Sequence, residues 1–293
     1  MEDHEKWLTD RFAKGVVPPF SFVYDGKHSS ELIKKWRFDH GSGQKDESSV
    51  KYLYTFSDLD TGLRVWCKAE VFLDFHAVEW VLMFENSGME DTPIIENIQA
   101  IDTTWNYEQE GEVILHRALG SSASRSDFAP ISETMQTDNK IKLAPIGGRS
   151  SNTTVFPFFN IQAPGEGVMM AVGWSGQWSA SLTKDENHGV KLVAGQELTH
   201  LKLHKGEKIR TPRIMLLFWD GDDRMVGHNV LRQFMLKHHT LQDGDKPVTA
   251  PLASSGGPIC QAPIPGFEEF NQATEHNQIA YAERYRQMGL NTE

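Results

Sequence analysis

The sequence predicts a mainly-β chain, a sandwich or a barrel, that passes into helical segments near its C-terminus. Segment 63–74 alternates apolar and polar residues with the period of two that is typical of a half-buried strand. Turn-forming sequences recur along the middle of the chain, such as Asn-Ser-Gly at 86–88 and Pro-Gly at 164–165. From Asp222 onward the apolar residues change to helical spacing.

The clearest local prediction is an antiparallel hairpin over 63–84. One face of its first strand is apolar, and after a short break near 74–75 the alternation resumes. Period-two alternation on both sides of a short break indicates two paired strands with one face buried. The residues assigned to that buried face are Val65, Cys67, Ala69, Val71 and Leu73, then His76, Val78, Trp80, Leu82 and Phe84.

Further short strands are predicted between the turn signals. Many short strands joined by polar turns favour a sandwich or barrel over alternating βαβ units. These strands are predicted at 94–104, 112–119, 153–162, 167–174, 177–183, 190–194, 197–203 and 209–219.

An amphipathic helix is predicted over 222–240. Two aspartates at its start complement the helix dipole, and Val226, Val230 and Phe234 follow at i, i+4 and i+8. A loop rich in Pro, Gly and Ser follows, and then a second helix over 268–288 with Gly289 as its C-cap. We therefore expect a β-domain over 1–245 and a linker with a helical segment over 246–293.

Composition narrows the classes of partner. The 293 residues carry 29 Lys and Arg against 40 Asp and Glu, a net charge of −11, which argues against nucleic acid and anionic membranes as partners. No apolar run reaches the roughly 18–20 residues of a membrane helix, and the polar N-terminus lacks a signal-peptide pattern. The two cysteines are expected to be unpaired thiols, so the predicted location is the cytoplasm.

No motif of a known catalytic or cofactor site stands out. There is no GxSxG sequence and no glycine-rich phosphate loop. Asp220, Asp222 and Asp223 have no downstream bidentate Glu to complete a calcium loop, and the histidines lack metal-site spacing. We therefore predict neither a metal nor a cofactor.

The turn at 173–178 is the main candidate for ligand binding. It places Trp174 and Trp178 across a glycine-containing turn with Gln177 between them. Exposed indoles beside amide groups can stack on a sugar while bonding its hydroxyls. The alternative is that both indoles pack into the sandwich. Arg149 either contacts a polar ligand or makes a structural ion pair.

An ordered set of motifs resembles the N-terminal domain of clan-D, family 36 α-galactosidases. The set keeps its order over roughly residues 20–240. It consists of FSFVYDGK at 20–27, DF at 74–75, VEW at 78–80, FENSG at 84–88, TPI at 92–94, GGRSS at 147–151, FPFF at 156–159, GWSGQW at 173–178 and GEKIRTPR at 206–213.

The resemblance implies a β-supersandwich of the galactose mutarotase type that precedes a (β/α)8 catalytic barrel. In that family an aspartate nucleophile and an aspartate acid/base on barrel strands give retention of configuration. No residue here matches either motif, so the chain is expected to be inactive alone. The segment after Pro258 resembles the first βα step of a barrel that is cut short at residue 293.

The resemblance also implies partners: the chain's own barrel, a second copy in a homo-oligomer and an α-galactoside. Asp127 and Phe128, in the polar loop 121–132, and the turn at 174–178 are candidates for contributing to a neighbouring active site; alternatively, 121–132 is a plain surface loop. Two other functions remain open: a carbohydrate-binding module that uses Trp174 and Trp178, and a purely structural or oligomerising domain.

Overall fold

A computed structural model describes residues 4–45, 48–121, 123–244, 246–248 and 275–289. The chain divides into two compact units, Met1–Phe234 and Met235–Glu293. The predicted boundary at 245 stays a prediction, because most of the linker that would define it lies outside the described residues.

In its described residues the first unit contains seventeen strands and three α-helices. Its elements run α1 (His4–Arg11), β1 (Ser21–Tyr24), β2 (Lys27–His28), α2 (Ser29–Leu32), a 3-10 turn (Ile33–Lys35), β3 (Arg37–Lys45), β4 (Ser49–Ser57), β5 (Leu63–Phe72) and β6 (Ala77–Asn86). They continue with β7 (Ile95–Asn106), β8 (Ile114–Ala118), β9 (Pro130–Thr134), β10 (Lys140–Leu143), β11 (Phe158–Ala163), β12 (Glu166–Gly173) and β13 (Trp178–Lys184). The last are β14 (Gly189–Gln196), β15 (His200–Leu201), β16 (Lys208–Arg210), β17 (Arg213–Asp220) and α3 (Arg224–Phe234).

Two antiparallel sheets form a sandwich, which confirms the predicted mainly-β fold. The ten-stranded sheet has the order β3-β4-β5-β6-β17-β12-β11-β8-β9, with β16 paired to β6. The seven-stranded sheet has the order β10-β13-β14-β7-β1-β2, with β15 paired to β7. Side chains of both sheets form one apolar core. The indole Nε1 of Trp80 on β6 donates to the carbonyl of Ala100 on β7 at 2.8 Å and so joins the two sheets across that core.

The predicted hairpin is β5 and β6. Val65 lies opposite Phe84 and Cys67 opposite Leu82, and all four side chains are buried. The alternation in the sequence therefore assigned the buried face of this pair correctly over 65–71 and 78–84. The assignment fails at Leu73, which is 40% exposed, and at His76, which is also exposed, because the first strand ends at Phe72 and the second begins at Ala77.

Helix α1 belongs to the core although the sequence pattern did not predict it. Trp7 and Leu8 are buried, and Trp7 lies 6.2 Å from Trp80 between ring centroids. Just after the helix, Phe12 stacks on Tyr54 at 4.5 Å. Only these few apolar side chains face inward, which is too few to give a helical period in the sequence.

Helix α3 packs closely on the large sheet through two glycines. Trp219 on β17 lies between Gly167 on β12 and Gly227 on α3. A Cβ atom at Gly227 would lie 2.7 Å from the Trp219 ring, and one at Gly167 would overlap it. The indole Nε1 donates to Asn160 Oδ1 at 3.0 Å. Glycine at both positions is therefore what lets the helix approach the sheet.

The second unit has little described structure. A π-helix occupies Met235–His239, where the sequence predicted α-helix up to 240. Strands β18 (Gln242–Asp243) and β19 (Lys246–Pro247) pair with each other, and helix α4 spans Glu275–Gln287. Gly289 follows with a φ of 85°, as the predicted C-cap requires. The predicted start of a barrel, apart from this helix, lies outside the described residues.

A hydrogen-bond network around the buried His116 connects β8, β9, β11 and α3. His116 Nδ1 lies 2.8 Å from Ser132 Oγ and 3.1 Å from Arg224 Nη1, and its Nε2 lies 2.9 Å from Gln162 Oε1. A guanidinium can only donate, so Nδ1 is the acceptor and Nε2 carries the proton. The network thus needs His116 to be neutral. Burial, together with the Arg224 charge, holds the pKa of His116 below its ordinary value.

We expect this network to make stability depend on pH. Below the unfolded-state pKa of about 6.5, His116 is protonated in the unfolded chain but stays neutral in the native chain. The contribution of His116 to the free energy of unfolding is therefore complete above that pH and is lost as the pH falls towards the lowered native pKa. Urea unfolding at about pH 7.5 and about pH 5.5 measures the loss. In His116→Gln, which cannot titrate, the difference between the two pH values is expected to shrink. An unchanged difference in the variant would contradict the assignment.

Candidate functional site

Three loops at one end of the sandwich bring the predicted site residues together. Gln177 Oε1 accepts from the backbone N–H of Gly148 at 2.9 Å, and its Nε2 donates to the carbonyl of Pro145. The indole Nε1 of Trp178 donates to the carbonyl of Ser150 at 2.7 Å. The turn before β13 is thereby fixed to the loop that precedes β11.

The loop after β8 completes this surface. Gly120 lies so close to the backbone of Asn152 that a Cβ atom there would overlap it. The rings of Phe128 and Phe156 meet edge to face at 5.4 Å between centroids. Residues 119–121, 123–129, 144–157 and 173–178 therefore form one surface, which we name the three-loop surface.

Trp178 is a core residue, which corrects one predicted site residue. Its side chain is fully buried and its ring lies 5.7 Å from that of Phe159. The predicted pair of exposed indoles is therefore not formed, because Trp178 begins β13 and points into the sandwich. A sugar cannot stack on it without unfolding the strand.

Trp174 stays partly exposed, but a cation covers part of it. The Arg210 guanidinium carbon lies 5.6 Å from the centroid of the Trp174 ring, within cation–π range. A Cβ atom at Gly176 would lie 3.1 Å from the Trp174 Nε1, so this glycine leaves room for the indole. One aromatic ring, already in contact with an arginine, is what the turn offers to a ligand.

Gln177 is bonded to the neighbouring loop, whereas the Arg149 side chain is exposed. Both ends of the Gln177 amide are bonded to the 145–148 backbone, so this side chain positions the loop. Arg149 follows Gly147 and Gly148, whose φ angles are 78° and 73°, and its side chain is exposed. Over the described part of the chain the Arg149 guanidinium has no hydrogen-bond or ion-pair partner. The predicted structural ion pair is absent among those residues, and the ligand contact stays a prediction.

Asp127 organises its own loop. Its carboxylate accepts from the Ser121 hydroxyl at 2.6 Å and from the backbone N–H groups of Ala123 and Ser124, each at 3.1 Å. The next residue, Phe128, has a φ of 57° and is 54% exposed. A bulky residue in the left-handed region is strained, and the Phe128 backbone N–H donates to the Gly120 carbonyl at 3.3 Å.

Two aspartates at the start of α3 have structural roles. Asp222 Oδ1 accepts from Gly165 N at 2.8 Å, and Asp223 Oδ1 accepts from Met225 N at 2.9 Å at the start of α3. Among the described residues, no group of three or more His, Cys, Asp or Glu side chains is arranged to hold a metal ion. Burial raises the pKa of the Cys67 thiol well above its ordinary value.

None of the described helices is both long and apolar enough to span a membrane.

The fold is shared with solved α-galactosidases. The α-galactosidase from Lactobacillus brevis matches with a TM-score of 0.58 and 15% identity, over 77% of this chain and 32% of its own. A variant of AgaA, a GH36 α-galactosidase from Geobacillus stearothermophilus, was compared in its complex with 1-deoxygalactonojirimycin. It matches with a TM-score of 0.56 and 14% identity, over 75% of this chain and 32% of its own. This chain has the fold of a segment of those enzymes. The galactosidase domain of an α-galactosidase–sucrose kinase matches with a TM-score of 0.52 and 16% identity, over 69% and 30%.

The shared fold confirms the resemblance seen in the sequence motifs, at low identity. The chain spans about a third of the length of the α-galactosidase structures that it matches. No protein-family model and no curated protein sequence matches it.

Sequence reasoning missed two residues of the three-loop surface, Ser150 and Phe156, and one residue that contacts it, Arg210. Ser150, Phe156 and Arg210 enter through contacts between loops that are distant in sequence. All three lie inside motifs that carry the resemblance, at 147–151, 156–159 and 206–213. Co-occurrence of those motifs was therefore the only signal that could have grouped them.

Proposed function

We propose that this chain is the non-catalytic β-sandwich domain of an α-galactosidase-like retaining glycoside hydrolase. The observation that carries the proposal is the fold shared with three α-galactosidase structures over 69–77% of this chain. In this role the domain supports a separate catalytic barrel, and the barrel supplies the nucleophile and the acid/base.

The chemistry of the three-loop surface is consistent with a supporting role. Retaining hydrolysis needs two carboxyl groups about 5–5.5 Å apart on either side of the sugar. Asp127, the predicted acidic residue of the surface, already accepts bonds from its own loop. The groups that the surface exposes include the Arg149 and Arg125 cations, part of the Trp174 ring, Phe128 and Ile146.

These groups are better suited to contact than to catalysis. Arg149 can bond a sugar hydroxyl or a carbonyl, and an exposed ring can pack against a neighbouring protein surface. We therefore propose three partners: the catalytic barrel of the same enzyme, a second copy of the chain in a homo-oligomer, and an α-galactoside bound mainly by the barrel.

Hydrolysis of an aryl α-galactoside tests the proposal. The purified 293-residue chain is expected to show no turnover above buffer, whereas a longer chain from the same reading frame is expected to release the aryl alcohol. A longer chain that lacks the predicted barrel nucleophile serves as the matched control and is expected to be inactive. Turnover by the 293-residue chain would overturn the proposal, as would a longer reading frame without barrel strands.

A further inference from the structure

A second candidate site lies outside the three-loop surface, in a cleft beside Trp36. The cleft has a volume of about 430 Å³ and lies between the β1–β2 turn, the segment 32–37 and the β4–β5 loop. Such a volume falls within the range of pockets that hold small ligands, about 300–1,000 Å³. The sequence motifs at 20–27 and 92–94 contain Tyr24, Asp25, Lys27 and Pro93 of this cleft, but no binding role was predicted for any of them.

One wall of the cleft is aromatic and fixed in place. The Trp36 indole is partly buried, and its centroid lies 6.0 Å from that of Phe22 and 6.1 Å from that of Tyr24. Leu59, which is 76% exposed, and Pro93 add apolar area at the rim. Two core rings hold the Trp36 indole, so it is a rigid surface for stacking. Binding a ligand there costs little conformational entropy of the Trp36 side chain.

A hydrogen-bond chain forms the polar part of the lining. The Tyr24 hydroxyl donates to Thr61 Oγ1 at 2.7 Å, and the Thr61 hydroxyl donates to Asp58 Oδ2 at 2.7 Å. Asp58 Oδ1 accepts from the backbone N–H of Asp60 at 3.2 Å. Each oxygen of the Asp58 carboxylate has a further lone pair, so the side chain can accept from a ligand without leaving its place.

The charges around the cleft cancel. The lining carries Asp25, Asp58 and Asp60 against Lys27, Lys35 and Arg37, so its formal sum is 3 − 3 = 0; Arg37 also pairs at 2.8 Å with Asp39, which is not part of the lining. A phosphate group needs a net positive site and a metal cation needs a net negative one. A neutral lining with donors, acceptors and an aromatic surface fits a neutral ligand that has an apolar face and several hydroxyl groups.

We propose that the Trp36 cleft binds a neutral saccharide. The Trp36 indole stacks on the apolar face of one sugar ring, Asp58 accepts bonds from its hydroxyls, and Lys35 donates to a hydroxyl at the rim. The site is separate from the three-loop surface and does not depend on the catalytic role proposed above, because it binds without turnover.

Calorimetric titration of the purified chain with raffinose, maltotriose and cellotriose tests this site. At least one trisaccharide is expected to bind, and Trp36→Ala is expected to weaken it by about tenfold or more. Trp66→Phe, which changes a partly buried indole on β5 that lies outside both the cleft lining and the three-loop surface, is the matched control and is expected to leave the affinity unchanged.

Two gentler variants keep the test decisive if Trp36→Ala does not fold. Trp36→Phe is expected to retain weakened binding, and Asp58→Asn is expected to weaken binding several-fold while far-UV circular dichroism stays native. The proposal is overturned if no trisaccharide binds, or if Asp58→Asn and Trp36→Phe both bind as the native chain does. It is also overturned if inorganic phosphate or Ca²⁺ binds in the cleft and displaces the sugar.

Discussion

Replacing Trp178 with alanine is expected to lower the free energy of unfolding by about 3–5 kcal/mol. The side chain is fully buried against Phe159, so its removal leaves a large cavity between the sheets. The Ser150 carbonyl also loses its donor, the indole N–H at 2.7 Å. Urea unfolding followed by far-UV circular dichroism measures the change. The loss is expected to be accompanied by loosening of the 144–157 loop.

Trp174→Ala is the matched control in the same turn. Its indole is partly exposed, so the expected loss is about 1–2 kcal/mol. A Trp178→Ala variant that is as stable as the native chain would show that the indole is not part of the core. The comparison therefore separates a ligand-stacking role from a packing role for the two tryptophans of one motif.

Replacing Phe234 with alanine is expected to detach helix α3 from the large sheet, at a cost of about 3–5 kcal/mol. Phe234 is fully buried, and its ring meets those of Phe72 and Phe75 edge to face at 4.8 and 5.5 Å. These contacts hold the last turn of the helix against the sheet. In the middle of the helix, Gly227 lies against the Trp219 ring. Hydrogen exchange of the α3 backbone amides is the direct measurement.

Val226→Ala provides the control on the same helix. Val226 is 41% exposed, and alanine is the better helix former, so the change in stability is expected to lie within about 0.5 kcal/mol. Equal exchange rates in Phe234→Ala and Val226→Ala would contradict the docking argument.

The parts of the fold that the sequence predicts are those with a repeating pattern. The β5–β6 hairpin was predicted because its buried face alternates over both strands. Strand β4 carries the same alternation in Val50, Tyr54 and Phe56, so the same period-two pattern could have predicted it. Strand β9 could not be predicted in this way, because none of its side chains is fully buried and its sequence has no apolar face.

The candidate site was predictable only as a set of local motifs. Whether an indole points inward is decided by the strand that it begins, and Trp178 continues the buried set Ala180 and Leu182 at a period of two. That signal was present in the sequence. The bond from Gln177 to the 145–148 loop was not, because it joins residues about 30 positions apart through tertiary packing.

The close approach of helix α3 to the sheet couples three positions in evolution. Gly167 and Gly227 have no freedom to change while Trp219 stays, because any side chain at either position meets the indole. A homologue with a small residue at 219 would release both glycines at once. If glycine is invariant at 167 and 227 in a family alignment, the packing of Trp219 explains it. Such invariance would carry no information about substrate or partner.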